Sequence, residues 1–405
     1  MYPDPYNKRN VDPYTKARII LMNGTEFEAN WFSHQLARHT DDNDLRRELA
    51  LTRETEKQQQ LKLSLLKPAN ESILEHTIGY EQLAVDLTAE LAQREQNCNV
   101  KRALDFALLE DFDHLYRYAN LLDMEEGIPA EYLVGRYTEI MPARPTIAHH
   151  RYPKDNVRRN IDSKCSDTGT VLNTMIITAA EQQTMNYYMN VTPFALSDIA
   201  RRLYQEIALV EEEHVTHYEA LMDPNATWLE MLLWHEYCEC YLYWSCYMTE
   251  CDMRIKRLWE AHLMTEISHL HKAAELLKKN EKKEWCEVIK SPEFPAPISL
   301  HENVNYVRDI LGSTVQFTTG KDDSYVRVED LPINDDFFRF QNIIQPNVNM
   351  TPSHKVIETY LRRHRTDYRY QVAENPIPAL RDRKNDNTSV GRVPGAAYST
   401  GFKCN

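Results

Sequence analysis

The sequence predicts an all-α protein, and three observations carry that prediction. Glycine and proline together make up 29 of 405 residues (10 Gly and 19 Pro), about 7% where an average chain has about 12%, and this scarcity disfavours a turn-dense β fold. Apolar residues recur with a helical period in several long stretches, one of which (227–282) contains neither glycine nor proline. Ser or Thr followed three residues later by Glu, the pair that caps a helix N-terminus reciprocally, stands in front of several of these stretches.

Taken in order, residues 1–24 are rich in proline and tyrosine and read as extended. Thr25 with Glu28 is expected to open a short helix, and a strongly charged helix spans about Asp44 to Leu66, stopped by Pro68. Ser72 with Glu75 caps a long segment reaching about Glu95, and a second covers about Val100 to Leu122, ended by Gly127-Ile128-Pro129. A break of more than forty residues, holding Pro129, Pro142, Pro145, Pro153 and Gly169, then intervenes. Helical pattern resumes at Thr170–Asn190, pauses at Val191-Thr192-Pro193 and continues from Ser197 to Leu221. After the turn Asp223-Pro224-Asn225, Thr227 and Glu230 cap a stretch reaching about Lys282, either one long helix or two with a turn near Thr249–Asp252. Beyond Ser291 only short helices are expected, Asn303–Leu311 and His354–Arg363, with a β-like piece at Tyr325–Val328. The organisation is therefore an N-terminal arm with helices (1–69), a four-helix unit (70–225), an added long helix or helical pair (226–285) and an extended tail (286–405). That tail is expected to wrap the core or a neighbouring subunit and to end in a loose arm, Asn385 to Asn405.

Apolar residues at 42% and charged residues at 27% suit a globular protein with a real core. A net charge of −14 argues against DNA or an anionic membrane surface as a general partner. No run of about 18 apolar residues suggests a membrane span, and Met1-Tyr2-Pro3-Asp4-Pro5 does not begin a signal peptide. Eight cysteines without a Cys-x-x-Cys pair fit neither a disulfide scaffold nor a zinc ribbon, so a reducing cytoplasm is the expected location.

A histidine three residues after an acid occurs at Asp111/His114, Glu211/His214 and Glu266/His269. With 61 acids in 405 positions, 15 histidines give about two such pairs by chance, so the pairs alone carry little. The information lies upstream, where each acid is preceded at thirty residues by a glutamate: Glu81, Glu181 and Glu236. The first two sets are offset by one hundred residues throughout, which reads as duplication of a helical hairpin. An i, i+3 pair shares one helix face, and a thirty-residue interval is what two antiparallel helices need if they reverse midway. Turn signals near 96 and 196 match: Gln96-Asn97-Cys98-Asn99 and Val191-Thr192-Pro193. Two such hairpins would gather four carboxylates and two imidazoles in one core. Left unneutralised, that cluster costs several kcal/mol per buried ion; a dinuclear metal centre cancels the charge.

This pattern resembles the ferritin-like di-metal carboxylate proteins, with Glu on one helix, Glu-x-x-His on the next, and both repeated. The resemblance covers about residues 70–222. It implies a ferritin-like four-helix bundle with a long crossover, Glu81 and Glu181 as terminal ligands, Asp111 and Glu211 as bridging carboxylates, and His114 and His214 as imidazole ligands. Asp111 departs from the usual glutamate, which leaves Glu110, one turn before His114, as the alternative ligand. The long interval between His114 and Glu181 allows the crossover, so the first two hairpins are paired with each other. The third set (Glu236, Glu266, His269) is assigned to the added helical pair, and whether it forms a second site stays open.

The implied function is a di-iron oxidase or oxygenase that uses O₂ or peroxide to oxidise a small organic substrate, with manganese as the alternative metal. A dimanganese catalase or peroxidase and a metal-free interaction protein on the same scaffold are the rival readings. Without a Cys-x-x-Cys iron site, electrons would come from an external donor, and a homo-oligomer is expected. Tyr118 and Tyr218 each follow a ligand candidate by one turn, and Tyr118 stands where the small subunit of class I ribonucleotide reductase has its radical tyrosine; packing near the core is the plainer reading of both. His217, one turn beyond His214, is either a further ligand or ligand partner, or a hydrogen-bonded surface histidine.

Overall fold

The computed structural model describes residues 2–143, 149–314, 317–344, 346–347, 350–370 and 374–381; the side chains of 313, 314 and 370 fall outside the description. Expectations for the end of the tail, Asn385 to Asn405, lie outside the described residues. The fold is all-α. Twelve α-helices, several 3₁₀ segments of three or four residues and a single two-stranded antiparallel hairpin make up the regular structure among the described residues.

Eight long helices form four hairpins: α1 (Pro13–Arg38) with α2 (Asn43–Leu65), α3 (Ile73–Arg94) with α4 (Cys98–Glu126), α6 (Thr168–Val191) with α7 (Asp198–Glu219), and α8 (Trp228–Thr249) with α9 (Met253–Glu281). Both members of the capping boxes before α3 (Ser72, Glu75) and α8 (Thr227, Glu230) form their reciprocal bonds. Gly127 ends α4 in the left-handed conformation (φ 66°), which costs glycine nothing.

Two sequence expectations change. Residues 13–24 are helical rather than extended: Asp12 accepts from the Tyr14 amide as N-cap and Pro13 occupies the first turn, where its missing N–H is not needed. Thr25 therefore sits in mid-helix, its hydroxyl donating to the Leu21 carbonyl, and caps nothing. The open question over 227–282 resolves as two helices, because Asp252 caps α9 through the Arg254 and Ile255 amides.

The hairpins sort into two groups. The α3–α4 pair packs on α6–α7, and the α1–α2 pair packs on α8–α9, while α1 also touches α3 and α6 and so joins the groups. Segments 1–69 and 226–285 thus meet in one group around the central pair of hairpins in the chain. The connection from α4 to α6 includes the short α5 (Glu131–Val134), and in its described residues packs on the first group, with the Ile161 amide donating to the Leu221 carbonyl. In its described residues the tail packs on the chain's own helices. Its helix α10 (Val304–Thr314) lies on α4, and α12 (Pro352–His364) lies on α4 and α7. Beyond α12, buried Arg369 reaches Glu131 and Asn120. The short α11 (Asp336–Ile344) has no counterpart in the sequence reading. Strands β1 (Phe317–Thr319) and β2 (Tyr325–Arg327) pair with Phe317 opposite Arg327. No helix among the described residues is long and apolar enough to cross a membrane.

Candidate metal centre

The hairpin geometry that predicts convergence operates in the first group. Glu81 (α3), Asp111 and His114 (α4), Glu181 (α6) and Glu211 and His214 (α7) lie well inside their helices and are all buried. One ligand atom from each of Asp111, Glu181, Glu211 and His214 lies within 4.8 Å of the others. Glu81, His114 and Glu211 form a second group on the same criterion. Glu211 belongs to both.

Its two oxygens face different histidines: Oε1 is 2.9 Å from His114 Nδ1 and Oε2 is 3.1 Å from His214 Nδ1. His214 Nδ1 also lies 3.2 Å from Asp111 Oδ1 and 3.5 Å from Glu181 Oε2, yet forms a well-aligned hydrogen bond with none of the three carboxylates. Burial disfavours the charged ring, but Asp111, Glu110, Glu181 and Glu211 outweigh it and raise His214 well above its ordinary range, so this nitrogen faces a gap that either a proton or a cation can fill. Both oxygens of Glu181, and Asp111 Oδ1, lack a hydrogen-bond partner.

The outer face of the site is built from charge pairs. His214 Nε2 is 2.7 Å from Glu110 Oε2, and Glu110 in turn accepts from Arg151, which the α4–α6 connection carries into the core. The carboxylate that enters the cluster is therefore that of Asp111, and Glu110 lies behind His214, where it sets the imidazole's orientation and proton position. The same connection supplies His149, whose Nε2 is 2.6 Å from Asp113 Oδ2. Burial and the adjacent Arg117 push His149 down to about 3, so its neutral ring donates to Asp113. Periodicity could not locate His149 or Arg151, because neither is on a helix.

Burial pushes the Glu81 and Glu181 carboxyls well above their ordinary range, and the neighbouring carboxylates add to the shift. Burial raises Asp111 as well. Burial opposes ionisation of Glu211 too, but the two imidazoles outweigh it and hold this group at about 2. A site of this kind takes up either protons or cations.

Tyr188, which the sequence reading passed over, donates its hydroxyl to Glu81 Oε1. It stands seven residues after Glu181 and so on the same face of α6, a signal the sequence did contain. Tyr118 packs 5.2 Å from Tyr188 and 5.0 Å from Tyr204 between ring centroids, and its buried hydroxyl has no hydrogen-bond partner. The Tyr218 hydroxyl is likewise buried and unpartnered, its ring 6.5 Å from that of His214. His217 is fully buried, which overturns the surface reading. Its Nε2 points to the Tyr325 hydroxyl on β2 at 3.4 Å, and its ring stacks on Phe106, outside both ligand groups. Burial and Arg151 keep its ring neutral. The third set, Glu236, Glu266 and His269, lies in the other helical group, facing α1 and α2.

No protein-family model, curated protein or solved structure matches the chain.

Proposed function

We propose that α3, α4, α6 and α7 form a ferritin-like four-helix bundle holding two iron ions, with manganese as the alternative, and that the protein is an oxidoreductase using O₂ or peroxide to oxidise a small organic substrate. The observation that supports this most is the pair of buried ligand groups sharing Glu211. Four carboxylates and two imidazoles are the donor set that a carboxylate-bridged pair of divalent ions requires. The fit also has a negative side: Glu181 has two buried oxygens without a partner and Asp111 has one, and burying such atoms costs several kcal/mol unless a cation meets them.

Asp111, Glu181, Glu211 and His214 would hold one ion, and Glu81, His114 and the shared Glu211 the other. Bound there, the pair would supply two-electron exchange with O₂ or peroxide. The chain's own groups do the rest. Glu110 and Arg151 fix His214 through its outer nitrogen, and Tyr188 fixes Glu81. Tyr118, Tyr188 and Tyr204 form an aromatic layer beside the cluster that excludes water. Electrons would come from a separate donor protein.

The test is anaerobic reconstitution of the chelator-treated chain with Fe(II) or Mn(II), followed by metal analysis and measurement of O₂ or peroxide consumption. Glu211→Gln combined with His214→Ala is expected to remove two equivalents of metal and the consumption, with the circular dichroism unchanged. Metal content that is equal in the variant and the parent chain would sink the reading, and no metal in either would leave a metal-free helical scaffold.

A further inference from the structure

The helices outside the first centre carry a copy of its pattern. Glu26 and Glu56 are thirty residues apart and Gln59 follows Glu56 by three, just as Glu236, Glu266 and His269 are spaced. One constant offset in sequence relates every position to its counterpart in the first centre: 26 answers to 81, 56 to 111 and 59 to 114, while 236, 266 and 269 answer to 181, 211 and 214. Tyr243 follows Tyr188 at that same offset and plays the same part, donating its hydroxyl to Glu26 as Tyr188 does to Glu81. Restricting the third position of the pattern to histidine hides the α1–α2 copy, which has glutamine there.

We propose that α1, α2, α8 and α9 hold a second dinuclear metal centre, built from glutamates 26, 56, 236, 239 and 266 with His269, and suited to hard divalent cations. It uses no residue of the first centre and does not depend on that centre's reaction.

The second cluster converges in two triads, where the first has a group of four and a triad, and Glu26 joins it by its position in the pattern. Ligand atoms of Glu56, Glu236 and His269 lie within 4.8 Å of one another, and so do those of Glu236, Glu239 and Glu266. Glu236, the counterpart of Glu181, is common to both triads, a place that Glu211 holds in the first centre. Some oxygens are satisfied by protein: the Gln59 amide donates to Glu26 Oε1 at 3.0 Å and to Glu266 Oε1, and His269 Nδ1 lies 3.0 Å from Glu266 Oε2. Others are not. Glu239 is 1% exposed, and neither of its oxygens has a hydrogen-bond partner. Glu56 Oε2 and Glu236 Oε2 are buried without one as well.

A structural network of protonated acids would pair these atoms with one another, since half-satisfied buried networks are costly. Carboxylates aimed at a common point without bonding are what a cation explains. The donor set also names its class. Five carboxylates and one imidazole make a more oxygen-rich site than the first centre's four and two, and carboxylate-rich sites suit hard ions such as Mn²⁺ or Mg²⁺, whereas imidazole suits Zn²⁺ or Cu²⁺. Glu239 supplies the extra carboxylate, where the corresponding position of the first centre is Thr184. His269 keeps 11% of its side chain exposed, at the solvent edge of the cluster.

The experiment is anaerobic titration of the chelator-treated full chain with Mn(II), read by metal analysis after desalting and by EPR. The parent chain is expected to hold four ions. Glu236→Gln with Glu239→Gln should hold two, and so should Glu211→Gln with His214→Gln, whose remaining pair gives the EPR signal of exchange-coupled Mn(II). A parent chain that saturates at two ions, both kept by the Glu236/Glu239 variant, overturns the proposal. If the Glu236/Glu239 variant binds none while the Glu211/His214 variant keeps two, the second centre stands and the first-centre reading fails. If the Glu236/Glu239 variant does not fold, the Glu211/His214 variant decides: two coupled ions support the second centre, and none overturns it.

Discussion

Tyr188 on α6 donates its hydroxyl to Glu81 on α3, tying the lone glutamate of one hairpin to the facing hairpin. A bond of this kind fixes the carboxylate's rotamer before any ion arrives, and loss of such an orienting partner typically weakens metal binding by about 10- to 100-fold. Tyr188→Phe is therefore expected to weaken the first centre about tenfold, read by competition against a chromophoric chelator. Tyr118→Phe removes a hydroxyl that bonds to nothing, so it is expected to leave affinity unchanged and to move stability by no more than about 1 kcal/mol. If the two variants lose affinity equally, the Tyr188–Glu81 bond is not what orients the ligand.

Arg151 is fully buried and faces Glu110, which in turn backs His214. Removing one member of a buried pair typically costs about 3–5 kcal/mol, because the remaining charge has lost its partner. Arg151→Met should cost about that much in urea unfolding of the metal-free chain, and adding Glu110→Gln should recover a large part of it. A loss below about 1 kcal/mol for the single variant would show that water or a rearranged neighbour compensates Glu110.

Acid sensitivity has a source outside either carboxylate cluster. Glu71 accepts from the Tyr6 hydroxyl at 2.8 Å, meets His76 Nδ1 at 2.8 Å and lies 3.4 Å from Lys16 Nζ. Burial opposes its ionisation, but His76 and Lys16 outweigh burial and hold it at about 2, below its ordinary value of 4.5. A depressed carboxyl means that the unfolded chain binds the extra proton. Its contribution is thus complete above pH 4.5 and is lost as pH falls toward 2, amounting to about 3 kcal/mol at neutral pH. Glu71→Gln is expected to lower stability at pH 7 and to flatten the fall in stability between pH 4.5 and 2. An acid limb as steep as the parent's would place the sensitivity elsewhere.

Chelation should have the opposite pH signature. In the metal-free chain the Glu81 and Glu181 carboxyls are raised by burial, so the folded state binds protons that the unfolded state has released, and stability falls as pH rises above the ordinary carboxylate range. Ions at a hundred times their dissociation constant restore about 3 kcal/mol per site. Melting curves are therefore expected to diverge with and without metal as pH rises from 5 to 8. Parallel curves would mean that the carboxylates are neutralised by something other than the added ions.

The legible parts of this fold are those where a local rule acts alone. Ser72/Glu75 and Thr227/Glu230 announce their helices because a capping box needs only neighbouring residues. The thirty-residue interval is legible because hairpin geometry turns it into convergence of Glu81 with His114 and of Glu181 with His214. Where two rules compete, the reading fails: Asp12-Pro13 starts α1, and the Thr25/Glu28 pattern inside that helix mimics a start. Arg151 and His149 come from a connection without periodicity, so their burial against Glu110 and Asp113 is visible only in three dimensions. His217 reads as a surface residue from α7 alone because the strand that covers it, carrying Tyr325, arrives from a distant part of the chain.

Gln59 offers the sharpest comparison between the two carboxylate clusters. It occupies the position that His114 holds in the first, and uses its amide to clamp Glu26 and Glu266 together. Gln59→His would restore a second imidazole donor at the cost of that clamp. Nitrogen donors favour metals late in the first-row series, so affinity for Zn²⁺ relative to Mn²⁺ is expected to rise about tenfold or more. The measurement belongs in the Glu211→Gln/His214→Gln background, where only the second centre binds. With the clamp gone, Glu26 keeps its bond to Tyr243 and Glu266 its contact with His269, so the helices should stay packed and the melting temperature should move by only a few degrees. An unchanged Zn²⁺/Mn²⁺ ratio would show that position 59 does not face the bound ions, and that the correspondence between the two helical groups ends at the backbone.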